Sequence, residues 1–171
     1  MKIICLGDSF TQGFLVEDKN YTRFLEKAGF LVENLGVNGS TTEEMLERYK
    51  RFKKGDEDDI LIVFGGTNDF LNGISVEFAY QNLKRILNIS KVEKIIIVIP
   101  PYIEEDTSYV FYKEVNMKID YLAEKLGKLR KNMDVILIDA RKISDRYIDG
   151  VHLARGFHKK LAEEIIREIN D

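Results

Sequence analysis

Three residues of this sequence have the types that nucleophilic catalysis requires. Ser9 directly follows the first apolar segment, and His152 comes three residues after Asp149, near the start of the last helical pattern. A serine hydroxyl becomes a good nucleophile when a base such as imidazole removes its proton, and a carboxylate can orient and stabilise that imidazole. These residues predict covalent catalysis at Ser9, with His152 as the base and Asp149 as its partner.

Covalent attack on a carbonyl group also needs hydrogen-bond donors for the negatively charged oxygen of the tetrahedral intermediate. The backbone N–H groups of Ser9 and Gly39 are candidates, since glycine lets the backbone approach a substrate closely. The side-chain amide of Asn68 is a third candidate. An ordered loop would use glycine and asparagine at the same places, so composition alone leaves that alternative open.

A parallel sheet would bring these residues to one edge. Short apolar segments cover residues 2–7, 30–35, 59–64, 94–99 and 134–138, and the last three are nearly continuous in isoleucine, valine and leucine. Such segments are typical of strands that helices cover on both faces. We therefore expect one domain over residues 1–171, a three-layer α/β/α sandwich with a five-stranded parallel sheet. Ligands bind at the carboxyl ends of such strands, where the candidate residues fall.

Helical patterns occupy the segments between the strands. Residues 40–43 (STTE) fit a capping box before a helix, and Ser75 is a candidate N-cap of the next helix. Gly29 is expected just past the end of a helix over residues 21–28. Apolar stripes with helical spacing predict two more helices, through residues 115–129 and 161–169.

Four segments in this order resemble the four sequence blocks of the SGNH hydrolases, also called GDSL-type esterases and lipases. They are residues 7–9 (GDS), 34–42 (NLGVNGSTT), 66–69 (GTND) and 149–153 (DGVHL). The resemblance spans residues 2–162 and implies the flavodoxin-like SGNH hydrolase fold. It also implies that Ser9 is the nucleophile, His152 the base and Asp149 its partner, with Ser9, Gly39 and Asn68 forming the oxyanion hole.

The sequence departs from the family pattern at Phe10, where the family has leucine. Both residues are apolar, so the chemistry should be unaffected. The resemblance implies a serine esterase that hydrolyses small acyl esters, short-chain or acetyl, without a metal or an organic cofactor. A lysophospholipase or an acyl thioesterase would use the same site and remains the alternative.

Two functions of another class are also compatible with an α/β sandwich. A receiver-type signalling domain would need paired acids after the first strand and a lysine after the fifth, where this chain has Ser9 and Arg141. That function therefore has little support. A catalytically silent acyl-binding module is disfavoured by the presence of Ser9, Asp149 and His152, and an activity assay would separate it from an enzyme.

The composition is that of an ordinary globular domain. The chain has 171 residues, of which 44% are hydrophobic and 32% charged, and its formal net charge is −3. A weakly acidic chain lacks the excess of basic residues that is typical of a general nucleic-acid binder. No segment approaches the roughly 20 apolar residues that a membrane span requires. We expect a cytoplasmic protein with a small acyl ester as its partner and no stable membrane association.

Cys5, the single cysteine, excludes an internal disulfide and is expected to be buried.

Some residues near these motifs receive less specific predictions. His158 is expected at the surface of the last helix, Asp8 to shape the turn before Ser9, and residues 56–59 (DEDD) to form a solvated turn at the opposite edge of the sheet. Apolar residues in the loops over residues 10–17, 70–73 and 100–110 could line an acyl pocket or pack on neighbouring helices. These residues are Phe14, Leu15, Phe70, Leu71, Tyr102 and Tyr109.

Overall fold

Five parallel strands run through the middle of the protein, and their carboxyl ends meet at one edge. The computed structural model describes residues 1–52, 56, 59–105 and 112–171. The strands are β1 (Ile3–Gly7), β2 (Val32–Gly36), β3 (Ile60–Phe64), β4 (Lys94–Ile99) and β5 (Ile136–Asp139). They are arranged in the order β2-β1-β3-β4-β5, and every neighbouring pair is parallel. This order is that of flavodoxin-like folds, which confirms the predicted fold class.

Helices connect the strands and cover both faces of the sheet. They are α1 (Ser9–Gln12), α2 (Tyr21–Lys27), α3 (Thr42–Arg51), α4 (Thr67–Leu71), α5 (Val76–Ile89), α6 (Tyr112–Leu129) and α7 (Arg155–Asn170). Short 3₁₀ turns lie at Glu17–Lys19 and Ala140–Lys142. The five longer helices match the predicted patterns. Helices α1 and α4 were missed because four or five residues are too few to show a helical period.

The helix ends agree with the predicted caps in two cases and differ by one residue in the third. Ser75 accepts a hydrogen bond from the backbone of α5, and Gly29 follows α2 with a φ of +96°. The capping box before α3 uses Thr41 and Glu44 instead of residues 40 and 43. Because Thr41 is the N-cap residue of α3, the side chain of Ser40 is available for a hydrogen bond to another part of the chain.

Apolar side chains on each face of the sheet form a separate core. On one face, Ile4 and Leu6 of β1 pack with apolar residues of α3, α5 and α6. On the other face, Ile3 and Cys5 pack with residues of α2 and α7. Burial raises the pKa of the Cys5 thiol to about 12, so the sulfur is a packing group, as predicted.

The acidic segment before β3 is not simply a solvated turn. Asp59 is buried, and its carboxylate accepts hydrogen bonds from the backbone N–H groups of Lys2 (2.8 Å) and Asp56 (3.1 Å). It therefore joins the start of β1 to the start of β3, which corrects the prediction for this residue. Asp56 is exposed, while Glu57 and Asp58 lie outside the described residues.

Two glycines at the ends of neighbouring strands allow α1 to pack directly on the sheet. Gly7 and Gly36 are paired in register. A Cβ atom on Gly36 would lie 2.2 Å from the backbone nitrogen of Gln12 and 2.6 Å from the carbonyl carbon of Thr11. Since both atoms belong to the backbone of α1, the helix would have to move to make room. The helix that begins with Ser9 thus depends on a missing side chain in β2.

We predict that Gly36→Ala lowers the free energy of unfolding by about 1–3 kcal/mol, the usual cost of forcing a methyl group into a packed region. Gly127→Ala is the matched control. Gly127 lies in α6, and a Cβ atom there would have no neighbour within 4 Å among the described residues. The control should be neutral, or more stable by up to about 1 kcal/mol. Urea unfolding measures both, and a Gly36→Ala protein as stable as the wild type would contradict this packing.

Candidate active site

Ser9, His152 and Asp149 form a continuous hydrogen-bonded line. The Oγ atom of Ser9 lies 2.8 Å from Nε2 of His152, and Nδ1 of His152 lies 2.7 Å from Oδ2 of Asp149. Ser9 is the first residue of α1, whereas the other two residues lie in the loop between β5 and α7. The structure therefore brings together three residues that the sequence analysis had selected, although 143 positions separate Ser9 from His152.

The loop that carries His152 is closed by Asp149 itself. Oδ1 of Asp149 accepts hydrogen bonds from the backbone N–H groups of His152 (2.7 Å) and Val151 (3.0 Å), while Oδ2 faces the imidazole. One carboxylate thus fixes both the backbone and the ring of the histidine. Burial raises the pKa of Asp149, but these hydrogen bonds outweigh burial and bring the pKa below its ordinary value. The carboxylate is therefore charged at neutral pH.

Two phenylalanines contact the imidazole ring of His152. The ring centroid of Phe10 lies 5.4 Å from that of His152, and Phe14 approaches edge-on at 5.0 Å. Phe10 is buried and also stacks on Phe64 of β3 at 5.1 Å. The phenylalanine at the position where the family pattern has leucine therefore packs between the sheet and the histidine.

The residues considered for an acyl pocket divide into two groups. Phe14 is 38% exposed and Leu15 is 48% exposed, so both offer apolar surface beside the histidine loop. Phe70 is fully packed in the core, and Leu71 and Tyr102 are partly buried against it. For these three residues, packing on the neighbouring helices is what the structure shows. Tyr109 lies outside the described residues.

The candidate oxyanion donors occupy the ends of three adjacent strands. Ser9 follows β1, Gly39 lies in the loop after β2, and Asn68 is the second residue of α4, which follows β3. Gly39 has a φ of +75°, a conformation that glycine adopts without strain. The Nδ2 group of Asn68 donates to the carbonyl oxygen of Ser40 at 3.0 Å. The asparagine side chain is therefore directed at the loop that contains Gly39.

A buried polar cluster, missed by the sequence analysis, joins α3 to α4. The carboxylate of Asp69 accepts hydrogen bonds from the hydroxyl (2.6 Å) and the backbone N–H (2.9 Å) of Thr42. Asn82 of α5 donates to the same hydroxyl at 3.2 Å. The signal in the sequence was an asparagine inside an apolar helical stripe, because a buried amide there requires a polar partner. The cluster fixes the distance between the Gly39 loop and Asn68.

Asp8 shapes the turn before the serine, as predicted. Its side chain caps α1 by accepting a hydrogen bond from the N–H of Phe10 at 3.1 Å. Burial above all, together with the nearby charge of Asp69, raises the pKa of Asp8 to about 7, although the hydrogen bond from Phe10 acts in the opposite direction. The group touches the backbone of α1, which is consistent with a structural role.

The prediction that His158 is a surface residue was wrong. The side chain is only 2% exposed and packs against Phe10 and Phe157. Its Nδ1 atom has no hydrogen-bond partner within the part of the chain that the structure describes. Burial above all, together with the neighbouring His152, lowers its pKa from 6.5 to about 4, although the charge of Asp145 acts in the opposite direction. The two lysines that follow His158 suggested a polar face, but the helix turns the histidine toward the core.

The described ranges contain no cluster of three or more histidine, cysteine, aspartate or glutamate side chains arranged to bind a metal ion. Over the same ranges, no helix is both long and apolar enough to cross a membrane.

The hydrogen-bonded line of Ser9, His152 and Asp149 at the carboxyl edge of a β2-β1-β3-β4-β5 sheet defines a hydrolase of the SGNH class. The family model for GDSL-like lipases and acylhydrolases matches residues 5–159, and the chain belongs to this family. It is accordingly a carboxylic ester hydrolase. A comparison with curated protein sequences gives no significant match.

Solved structures share the fold over nearly their whole length. A member of the lipolytic G-D-S-L family from Veillonella parvula has a TM-score of 0.85 and 20% identity, covering 99% of this chain and 98% of its own. A carbohydrate acetylesterase family member from Sinorhizobium meliloti has a TM-score of 0.79 and 21% identity, covering 99% of both chains. The aryl esterase of M. smegmatis has a TM-score of 0.79 and 18% identity, covering 99% of this chain and 98% of its own. At these identities the likeness is one of fold.

We predict that His158 makes the folded state less stable in acid. Between pH 6.5 and pH 4 the unfolded chain binds a proton at this residue that the folded chain does not. The free energy of unfolding should therefore fall as the pH decreases through this range, by about 3 kcal/mol from this residue. Urea unfolding of the wild type and of His158→Gln at several pH values measures the effect as a difference.

The comparison with the variant is needed because Asp8 acts in the opposite direction. Its pKa is higher in the folded state than in the unfolded chain, so protonation of Asp8 favours folding as the pH falls below 7. Subtracting the two proteins removes this contribution. If both proteins lose stability in parallel between pH 6.5 and pH 4, His158 is not the group responsible.

Proposed function

We propose that the protein is a serine esterase that hydrolyses small acyl esters through an acyl-enzyme on Ser9. The observation that carries the proposal is the line from Ser9 Oγ through the His152 imidazole to Asp149, with contacts of 2.8 Å and 2.7 Å. Both distances lie within the range for proton transfer between a nucleophile, a base and the group that orients the base. The position of Ser9 at the carboxyl edge of the sheet, where ligands bind in this architecture, adds support.

The first half of the reaction transfers the acyl group to the enzyme. His152 accepts the hydroxyl proton at Nε2 while Oγ of Ser9 forms a bond to the carbonyl carbon of the ester. The carbonyl oxygen becomes negatively charged, and Asp149 stabilises the imidazolium. The tetrahedral intermediate then collapses, the bond to the leaving oxygen breaks, and His152 returns the proton to that oxygen. An alcohol departs, and the acyl group remains on the serine.

The second half hydrolyses the acyl-enzyme. His152 takes a proton from water, whose oxygen attacks the acyl carbon and generates a second tetrahedral intermediate. When this intermediate collapses, the proton passes to Oγ of Ser9, and the carboxylic acid is released. The enzyme has then returned to its starting state, and neither step in this proposal uses a metal ion or an organic cofactor.

The negative oxygen of both intermediates is stabilised by the N–H groups of Ser9 and Gly39 and by the amide of Asn68. An amide NH₂ group has two hydrogens, and one of them is directed at the carbonyl oxygen of Ser40. We assign the second hydrogen to the oxyanion. The bond to Ser40 fixes the rotamer of Asn68 before substrate arrives, so the donor is oriented in advance of the reaction.

The apolar surface beside the base favours short acyl groups. Phe14 lies edge-on to His152 and is partly exposed, together with Leu15. Phe70 is buried in the core and does not enlarge the site. Similar solved structures include a carbohydrate acetylesterase family member and an aryl esterase, which supports small esters as the substrate class. Because Val37 and Ile148 are exposed as well, lysophospholipids remain the second candidate, with acyl thioesters as a further alternative.

We predict that Ser9→Ala and His152→Ala each lower kcat for 4-nitrophenyl acetate by a factor on the order of 10⁶, as expected when a nucleophile or its base is lost. Asp149→Asn should cost about 10⁴, because an amide stabilises the wrong ring tautomer. The matched control is His158→Gln, which changes the other histidine and should keep most of the activity. A Ser9→Ala protein that keeps more than about a tenth of the wild-type kcat is incompatible with the mechanism.

The same assay tests the oxyanion hole and the substrate class. Asn68→Ala should lower kcat by about 10²–10³ with a smaller change in KM, since the bond strengthens in the transition state. A large rise in KM at constant kcat would instead assign Asn68 to ground-state binding. Across a panel of acetyl, longer acyl, lysophospholipid and thioester substrates, we expect the highest kcat/KM for acetyl esters. A preference for the long-chain lipids would favour the second candidate.

A further inference from the structure

Arg48 of α3 donates hydrogen bonds to three separate segments of the chain at the edge of the sheet that carries the site: two backbone carbonyl groups and one side-chain hydroxyl. Its Nη2 group donates to the carbonyl oxygen of Gly7 at 2.8 Å, and its Nε group donates to the carbonyl oxygen of Leu35 at 2.9 Å. Its Nη1 group donates to the hydroxyl of Ser40 at 3.1 Å. Gly7 ends β1, Leu35 belongs to β2, and Ser40 lies in the loop between β2 and α3. One guanidinium group therefore joins two strand ends and a loop.

Two of these three segments are close in sequence to a proposed oxyanion donor. Gly7 precedes Ser9 by two residues, and Ser40 directly follows Gly39. Ser40 is buried, and its three polar groups are all engaged. Its N–H donates to the carbonyl oxygen of residue 37 at 3.2 Å, its carbonyl oxygen accepts from Asn68, and its hydroxyl accepts from Arg48. The hydrogen bonds to Ser40 thus fix the position of Gly39.

We propose that Arg48 is a positioning residue for the oxyanion hole. By binding Gly7 and Ser40 at the same time, it fixes the distance between the N–H groups of Ser9 and Gly39, so that both point at one oxygen atom. The inference rests on the proposed function and adds to it a residue that contacts neither the substrate nor the serine, histidine and aspartate side chains. Donors that are fixed before the reaction stabilise the transition state without a cost of reorganisation.

The shape of the arginine side chain matters more than its charge in this account. The guanidinium is a rigid planar fork with five N–H donors, so it can reach acceptors on three segments at once. The ammonium of a lysine donates from a single point and cannot span the same acceptors. Arg48 also lies near the Asp8 carboxyl group, with which it interacts through its charge. A lysine variant keeps that interaction and loses the fork, so it separates the two roles.

The test compares Arg48→Lys, Arg48→Met and Ser40→Ala with the control Arg51→Met, which changes an exposed arginine in the last turn of the same helix. We expect both Arg48 variants to lower kcat for 4-nitrophenyl acetate by about 10–100-fold with KM little changed, because displaced donors weaken transition-state binding. Ser40→Ala should give a smaller decrease in kcat of the same kind. Arg51→Met should match the wild type.

A second readout does not depend on turnover. An alkyl boronic acid adds to a serine to form a tetrahedral adduct that resembles the intermediate, so its affinity reports on the oxyanion hole. We expect its inhibition constant to rise in the Arg48 variants by the same factor as kcat falls. Thermal unfolding of each variant establishes how much of the protein is folded under the assay conditions, so that a loss of stability is not mistaken for a loss of positioning.

Two results for the Arg48 variants would overturn the inference. One is an Arg48→Lys protein with wild-type kcat and boronate affinity; the other is a kcat loss that equals the loss of folded protein. If Arg48→Met does not fold, Ser40→Ala decides, and unchanged kcat and boronate affinity in that variant would refute the positioning role. A wild type that hydrolyses none of the esters would refute the proposed function together with this inference. An active wild type, an inactive Ser9→Ala and unaffected Arg48 variants would refute the inference alone.

Discussion

The position of Ser9 depends on the close approach of α1 to the ends of β1 and β2. Gly36 leaves room for the backbone of this short helix, since a Cβ atom there would lie 2.2 Å from the backbone nitrogen of Gln12. Gly7 leaves room for the side chain of Thr11 in the same helix, since a Cβ atom there would lie 2.1 Å from its Oγ1 atom. The carbonyl oxygen of Thr11 in α1 accepts hydrogen bonds from the side-chain amides of Asn20 and Asn34, each at 2.8 Å. A four-residue helix cannot hold itself in place, so the sheet and these amides hold it.

The rest of the candidate site is built around that fixed serine from distant parts of the chain. Asp149 accepts hydrogen bonds from the backbone of its own loop and orients the imidazole of His152, so that the proposed base and its proposed partner are held together as one unit. Phe10, one residue after the serine, packs against the same imidazole and against the sheet. Phe10 thereby packs the imidazole ring against the core, while the Asp149 carboxylate fixes the rotation of the ring.

The other side of the site is held by polar bonds instead of apolar packing. Arg48 binds the strand ends and Ser40, and Asp69 binds Thr42 at the start of α3. These groups are buried or half-buried, where hydrogen bonds between partners in fixed positions hold them in one arrangement. Such an arrangement suits the role that we propose for the Gly39 loop, in which a backbone N–H stays at a fixed distance from a second donor.

The sequence predicts the sheet well because strands buried on both faces must be continuously apolar, as β3 and β4 are. It also places Ser9, Gly39, Asn68, Asp149 and His152 at one edge, since parallel strands end together. The burial of His158 and Asp59 could not be inferred from the sequence. Each has charged neighbours in the chain, which indicate an exposed segment although these two side chains point into the protein.

The contacts of Arg48 and Asn82 were hidden for a different reason. A hydrogen bond from a helical side chain to a distant carbonyl or hydroxyl group depends on the packing of α3 and α5 against the sheet, and local sequence does not encode that distance. Short elements such as α1 and α4 cannot be predicted from local sequence for a related reason. Their residues adopt a helix because the tertiary structure places them, and intrinsic propensity has little effect over so few positions.

The central claim is that Ser9 is a nucleophile activated by His152, and a fluorophosphonate reagent tests it most directly. The serine oxygen displaces fluoride from phosphorus and keeps the phosphonyl group, whose site peptide mass spectrometry can identify. We expect one phosphonyl group per chain, attached to Ser9, with esterase activity lost in proportion to labelling and with no labelling in His152→Ala. Full activity after exhaustive treatment, or a label on any other residue that accompanies the loss of activity, would contradict the account.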